Sequence, residues 1–314
     1  MRTLTIPLSG HLLVAHLAAY GLGFLLDAGG EDAFVGHDPL SLEMEPHVVT
    51  NATVDRATQL VRESAVECES AVEADLQPGQ SGNARQPVIW ARATALSRAA
   101  PALSRRETVL DTAERENAGV AVALIAGLGA PAAWSGDRPQ RGATQLDGVM
   151  GNYTSDFVRG VLRRARPEAA AAHVGLLEQA WMGAAEQTAT YDKTLWSPPR
   201  SRVDLVHQWL AALGLSLLPV AQHTRNPAVT PCWWRDREGS GVTLPVLETP
   251  VSVPRMRSLL QLPELLAPNA RVLAPAAARL RALGIRELVS FSRVDQPGKQ
   301  SVTFNFARGR RVDL

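Results

Sequence analysis

The chain has 314 residues, of which 46% are hydrophobic, and its net charge is only +1. These values are typical of a globular protein with a substantial core, and they exclude a strong overall electrostatic attraction to nucleic acid. Lys193 and Lys299 are the only lysines among the 32 basic residues. The other basic residues are arginines, which suit phosphate but which a GC-rich genome also favours.

The N-terminal segment predicts a short strand followed by a buried helix. The helix is expected to run from Ser9 to Ala28, with Ser9 as its N-cap and Gly29 as its C-cap. Its apolar sequence has the composition of a membrane or signal segment, but His11 and His16 interrupt it and little positive charge precedes it. A water-soluble helix and no membrane contact are therefore expected.

The organisation of the whole chain predicts an α+β fold in two parts. Residues 1–200 are expected to form a mostly helical region, with loops near 76–87 and 135–150 that are rich in glycine and proline. Residues 201–314 alternate strand and helix patterns. The predicted fold class is thus α+β, with a predominantly helical N-terminal two-thirds and a mixed α+β C-terminal region.

His207 is the residue that most invites a catalytic interpretation. It lies beside a tryptophan in the segment Val203 to Pro219, whose apolar residues recur at the spacing of a deeply buried helix. Nothing elsewhere in the sequence supplies an obvious nucleophile, acid or metal partner. We therefore expect His207 to be a packed histidine, satisfied by a carbonyl or by a carboxylate such as Asp204.

Cofactor and metal motifs are sparse. The sequence "GLGAPA", from Gly127 to Ala132, matches a dinucleotide-binding turn after an apolar run, but regular β-α-β alternation does not follow it. Cys68 and Cys232 are isolated, so neither a zinc site nor a disulfide framework is indicated, and a reducing cytoplasm fits best. We predict no metal, no cofactor and no catalytic residues.

Two groups of arginines and one tryptophan are candidates for nucleic-acid binding. The segment 279–314 has eight basic and three acidic residues, a net charge of +5, against +1 for the entire chain. In "CWWRDREG" a tryptophan beside arginine could stack on bases while arginine meets phosphate. A solvated charged tail and an ordinary packed tryptophan are the alternative interpretations. The candidates are Arg159, Arg163, Arg164, Arg166, Trp234, Arg235, Arg279, Arg281, Arg286, Arg293, Lys299, Arg308, Arg310 and Arg311.

Several segments resemble a known family. The strings "VDLVHQWLAALGLSLLPVA", "TPCWW", "TLPVLETPVSVPRMRSLL" and "LRALGIRELVSFSRVDQPGKQSVTFNFARGR" resemble the C-terminal part of CRISPR-associated proteins of type I-G (I-U) systems. The N-terminal "HLLVAHLAAYGLGFLLDAGGEDAFVGHD" is similar to the opening of proteins from the same systems. The resemblance covers about half of the chain, mostly its two ends.

The resemblance implies a non-catalytic large or accessory subunit of a Cascade surveillance complex. The implied partners are other Cascade subunits, CRISPR RNA and target DNA, because in such complexes guide pairing reads the sequence and protein holds the strands. Two other functions remain open from the residues alone. One is a structural subunit that never contacts nucleic acid, and the other is an enzyme that uses a nucleotide at Gly127 to Ala132.

Overall fold

The computed structural model describes most of the two ends of the chain and a little of its middle. The described ranges are 1–75, 118–128, 205–219, 230–237, 239–266, 275–297 and 302–314, with the single residues Asp111, Glu114, Arg115 and Leu146. The predicted loops 76–87 and 135–150 and the predicted boundary at residue 200 lie outside these ranges.

The first 75 residues form a β-α-β-β-α unit. Its elements are β1 (Arg2–Thr5), α1 (Leu13–Ala28), β2 (Ala33–His37), β3 (Pro46–Thr50) and α2 (Val54–Asp75). The three strands are antiparallel neighbours, with β3 between β1 and β2. In β3 buried and partly buried residues alternate, as expected for a strand with one face on the core.

A two-residue strand from the C-terminal part completes this N-terminal sheet. β6 (Val251–Ser252) pairs with β2, which gives the strand order β1-β3-β2-β6. The two ends of the chain therefore share one sheet, and the buried residues of both ends form one core cluster.

The C-terminal sheet is built around one long strand. β7 (Ile285–Pro297) pairs with β5 (Ser240–Leu247) along its first part, and β5 pairs with β4 (Trp233–Arg235). On the other side, β8 (Val302–Phe306) pairs with the end of β7, and β9 (Arg310–Asp313) pairs with its beginning. Ala307 N donates to Ser292 O at 2.8 Å between these two ladders, so β8 and β9 follow the same edge of β7.

The remaining helices pack on the two sheets. They are α3 (Gly119–Leu128), α4 (Leu205–Gly214), α5 (Val253–Leu260) and α6 (Ala277–Ala282), with 3₁₀ turns at Leu215–Leu217 and Pro263–Leu266. α4 is the main partner of α1, and α6 packs on β7.

A carboxylate from α2 holds the start of α3. Glu67 Oε1 accepts hydrogen bonds from Val120 N at 2.9 Å and from Ala121 N at 3.0 Å. The first backbone N–H groups of a helix have no partner inside the helix, and a negative charge beside them is favourable. Glu67 thus satisfies two of these groups and joins α3 to α2.

The prediction of a predominantly helical N-terminal two-thirds is wrong. The described part of that region contributes three strands to a four-stranded antiparallel sheet, and the protein has a second antiparallel sheet at its C-terminal end. β3 was not predicted from the sequence, because its five residues are too few to show a clear period beside Pro46. Strand formation there depends on pairing with β1 and β2, which are separate segments of the chain.

Two local predictions about helices have different outcomes. Gly29 is the C-cap of α1, as expected, but the helix begins at Leu13 and its N-cap residue Leu12 makes no side-chain cap. Ser9 instead donates a short hydrogen bond to the carboxylate of Glu43. His207 is buried in α4, as expected, whereas its suggested partner Asp204 is outside the described residues.

Candidate nucleic-acid interface

Trp233 and Trp234 are consecutive residues of β4, so their side chains lie on opposite faces of the C-terminal sheet. Trp234 is only 7% exposed. Its ring packs against Gly241, where an added Cβ would lie 2.6 Å from Trp234 Cζ2. Trp233 is only partly buried. Trp234 is therefore the more buried of the two, whereas Trp233 packs against the hydrophobic core and stays partly exposed.

The register of the sheet brings Trp233 to Phe306. Trp233 pairs with Val242, which pairs with Phe291, so these three side chains share one face. Arg293 follows Phe291 by two residues, lies on the same face and pairs with Phe306. The rings of Trp233 and Phe306 meet edge to face, with centroids 6.1 Å apart and planes at 85°.

Two arginines share the face of this aromatic pair. Arg235 follows Trp233 by two residues in β4, so its exposed side chain is on the same face. Arg293 is partly buried opposite Phe306. We call Trp233, Phe306, Arg235 and Arg293 the aromatic–arginine face. Both arginines were predicted from the sequence, but the contact between the two rings was not, because it depends on how β4 and β8 are placed around β5 and β7.

A second positive surface combines two helices. Arg279 and Arg281, both predicted candidates, are exposed on α6. Arg255 and Arg257 are exposed on α5, and Arg255 Nη2 donates to Leu283 O at 3.1 Å, just beyond the end of α6. The two helices are therefore neighbours. We call Arg255, Arg257, Arg279 and Arg281 the α5–α6 arginine surface.

The acidic residues near this surface only partly offset its charge. Arg279 donates a short hydrogen bond to Glu264, whose side chain is 13% exposed. The exposed Glu248 lies next to the same turn, since its backbone N–H donates to Gly284 O at 2.9 Å. Four arginines against these two carboxylates leave a positive surface. The sequence analysis missed the two arginines of α5 because their charge becomes relevant only once α6 lies beside them.

Two of the predicted arginines hold a buried carboxylate instead of facing solvent freely. Arg311 donates to both oxygens of Glu287, at 2.6 Å from Nε and 2.8 Å from Nη2, and Arg286 Nη2 donates to Glu287 Oε1 at 2.8 Å. Arg286 also donates to Pro39 O at 2.8 Å. Burial alone would raise the pKa of Glu287, but the hydrogen bonds and charges of Arg311 and Arg286 outweigh it and hold the pKa below its usual value.

Replacing Glu287 by glutamine should destabilise the protein by about 2 kcal/mol, because two arginines would lose a carboxylate that is only 4% exposed. Urea denaturation at neutral pH measures this loss. Arg308→Gln is the matched control, since Arg308 and Glu43 lie 3.8 Å apart and are 58% and 51% exposed. The control should cost less than about 1 kcal/mol. Equal effects from the two variants would mean that Glu287 is not a structural ion-pair centre.

The other predicted basic residues are at the end of the chain or outside the described ranges. Arg308 and Arg310 are exposed beside and within β9. The residues outside the described ranges are Arg159, Arg163, Arg164, Arg166 and Lys299. Their assignment to nucleic-acid binding stays a prediction.

A buried pair of histidines joins the two sheets. His16 Nε2 donates to Gly10 O at 2.7 Å, His37 Nε2 lies 3.1 Å from His16 Nδ1, and Leu247 N donates to His37 Nδ1 at 3.2 Å. Since Leu247 N is a donor, His37 Nδ1 must accept, and each ring then carries its one proton on Nε2. Both neutral rings are fully used by this chain of hydrogen bonds.

Burial is the main cause of the low basicity of this pair. Burial, opposed by the hydrogen bond to Gly10 O and assisted by the proximity of His11, lowers the pKa of His16 to about 4. The pKa of His37 is also well below its usual value, mainly through burial and further through the proximity of His16, His47 and Arg286. With both ring nitrogens of each histidine engaged, the pair is a structural link and has no nitrogen left to bind a metal.

The glycine motif does not lie in the structure that dinucleotide binding needs. The apolar run before it is the helix α3, which extends through Gly127 and Leu128, whereas the motif requires a strand there. The rest of the motif is outside the described residues. Within the described ranges, no group of three or more histidine, cysteine or acidic residues is arranged to hold a metal ion. Among the same residues, no helix has both the length and the apolar composition of a bilayer crossing.

Comparison with protein families, curated proteins and solved structures finds no match to this chain. The positions of the arginines and aromatic rings are therefore the basis for a functional proposal, together with the sequence resemblance stated above.

Proposed function

We propose that the protein is a non-catalytic subunit of a type I CRISPR RNA-guided surveillance complex and contacts guide RNA or target DNA. The class of complex rests on the resemblance of its end segments to type I-G proteins. The contact with nucleic acid rests on one structural observation, the α5–α6 arginine surface. The proposed location is the cytoplasm, and the proposed partners are other Cascade subunits, CRISPR RNA and target DNA.

The α5–α6 arginine surface suits phosphate binding because its arginines belong to two helices that are held in place by buried side chains. Leu259 and Leu260 of α5 and Leu280 of α6 are buried in the core, so the opposite sides of both helices carry the exposed arginines. A planar guanidinium can donate two parallel hydrogen bonds to a phosphate. In a guide-directed complex such contacts hold the backbone, and base pairing supplies the sequence specificity.

A second candidate function is subunit contact without nucleic acid. It is favoured by Leu40 and Leu42, which are 91% and 81% exposed in the loop between β2 and β3. Large apolar side chains on a loop are typical of contact with another protein. This function and the first are compatible within one complex, but the second predicts that no nucleic acid crosslinks to this chain.

The first test is purification of the tagged chain from cells that express the neighbouring genes and a CRISPR array. We expect other subunits and CRISPR RNA to co-purify with it, and ultraviolet light to crosslink nucleic acid to this chain. Co-purifying subunits without any crosslink to this chain would favour the second candidate. A chain that purifies without subunits and without RNA would contradict both.

The second test is the salt dependence of binding to duplex DNA by the assembled complex. Replacing Arg255, Arg257, Arg279 and Arg281 by glutamine should reduce the slope of log affinity against log salt by about 0.9 for each lost phosphate contact. Arg2→Gln is the matched control, because Arg2 is exposed on β1 of the other sheet. An unchanged slope in the four-residue variant would contradict the assignment of this surface.

A further inference from the structure

We propose that the aromatic–arginine face binds the bases of single-stranded nucleic acid by stacking. This inference rests on the proposed function, since it names the form of nucleic acid that a second site on the same protein would take. It is carried by the contact between Trp233 and Phe306 and by the two arginines on their face of the sheet.

The aromatic pair has the chemistry of a stacking site. Trp233 and Phe306 pack against the core from one side, which fixes their positions, and both are only partly buried, which leaves ring surface open to solvent. Their planes are at 85° and their centroids are 6.1 Å apart. Every nucleobase has a flat π surface that stacks on such rings, so this kind of recognition tolerates any sequence.

The arginines supply the charge complementarity that a purely apolar contact would lack. Arg235 is exposed beside Trp233, and Arg293 faces Phe306 across the β7–β8 ladder. Asp236, the neighbour of Arg235, accepts a hydrogen bond on Oδ1 from Gly239 N at 2.9 Å and closes the turn between β4 and β5. Aromatic rings beside guanidinium groups fit bases joined by phosphates.

This contact can form only with a single-stranded nucleic acid. In a duplex the bases are stacked on each other and show only their edges in the grooves, so a ring fixed on a sheet cannot reach their faces. Unpaired bases expose these faces. The aromatic–arginine face thus binds unpaired bases, whereas the α5–α6 arginine surface requires only phosphates.

The test compares two oligonucleotides of equal length and equal phosphate number, an oligothymidylate and its abasic counterpart. Binding by the wild-type complex should favour the oligothymidylate by about tenfold or more for each stacked base. Trp233→Leu and Phe306→Leu should each reduce this preference. Trp233→Phe should retain most of it, and circular dichroism and melting curves check that each variant is folded.

Measurements on the wild-type complex, without any variant, can also support or overturn the inference. Ultraviolet crosslinking to an oligonucleotide that contains 5-iodouracil should label Trp233 or Phe306, as read by mass spectrometry. Equal affinity for the two oligonucleotides would overturn the stacking site and leave the phosphate-binding surface intact. Binding of neither oligonucleotide, together with an absent salt dependence on duplex DNA, would overturn both proposals.

Discussion

Replacing Gly21 by alanine should destabilise the protein by about 3 kcal/mol or more, because the new methyl group would overlap the backbone of α4. An ideal Cβ on Gly21 would lie 1.8 Å from Leu210 O and 2.9 Å from Gly214 N. The contact is reciprocal, since a Cβ on Gly214 would lie 2.1 Å from Leu17 O. Backbone atoms cannot turn away as a side chain can, so α1 and α4 would have to separate.

The expected loss of stability in Gly21→Ala is opposite in sign to the helix propensities of glycine and alanine. Alanine is better than glycine in the interior of a helix by about 1 kcal/mol, and Gly21 is inside α1. Any loss of stability in Gly21→Ala therefore measures the helix contact and not helix propensity.

Gly119 provides the matched control. It is an exposed residue at the start of α3, and an added Cβ there would meet nothing within 4 Å. Gly119→Ala should leave stability unchanged or raise it slightly. Urea denaturation of both variants compares the two sites. A Gly21→Ala protein as stable as wild type would mean that α1 and α4 are farther apart than described.

The elements that the sequence could predict are those whose pattern is complete within one segment. α4 was predicted because its apolar residues recur at helical spacing, and the cap at Gly29 was predicted because glycine commonly follows a helix. The charge of 279–314 was also visible, and it drew attention to Arg279 and Arg281. Both are exposed on the surface of α6.

The choice between the two tryptophans could not be made from the sequence. Strand alternation predicts that Trp233 and Trp234 have opposite surroundings, but it does not say which ring is the more buried. That depends on the pairing of β4 with β5 and on Gly241, which makes room for the Trp234 ring. The sequence of β4 alone does not show which of its two tryptophans is the more exposed, so Trp234 was selected without a physical reason to prefer it over Trp233.

The roles of Arg286 and Arg311 likewise depend on Glu287, which in the sequence is only one of several acidic residues. Glu287 is buried beside Arg286 and lies diagonally across the β7–β9 ladder from Arg311. The Glu287 carboxylate binds Arg286 and Arg311, which the charge of the segment alone would predict to be exposed. Segregated charge in the sequence marks 279–314 as a basic segment, while the fold divides its arginines between an internal ion-pair centre and exposed surfaces.

Lowering the pH from 6.5 toward 4 should destabilise the protein through the buried histidine pair. The unfolded chain binds a proton on each histidine near pH 6.5, whereas burial holds the pKa of folded His16 at about 4. A group with a depressed folded pKa stabilises the fold fully above its unfolded pKa, and this contribution is lost as the pH falls toward the folded pKa. The loss for His16 is about 1.4 kcal/mol for each pH unit, which is roughly 3 kcal/mol at pH 4.

The hydrogen bonds explain why the protonated form is so unfavourable. A second proton on His16 would sit on Nδ1, which now accepts from His37 Nε2 at 3.1 Å. His37 would then have to accept on Nε2 and carry its own proton on Nδ1, opposite the N–H of Leu247. One added proton therefore breaks the hydrogen bond from Leu247 N, in a site that contains no water-exposed alternative for either ring.

The variant His16→Gln tests this account, because glutamine can donate to Gly10 O and accept from His37 but does not titrate. At pH 8 the variant should lose some stability through poorer packing against Phe291, whose ring centroid lies 5.7 Å from that of His16. Between pH 6.5 and pH 4, its free energy of unfolding should fall less steeply than that of wild type by about 1.4 kcal/mol per pH unit. Parallel pH profiles for the two proteins would show that folding does not lower the pKa of His16.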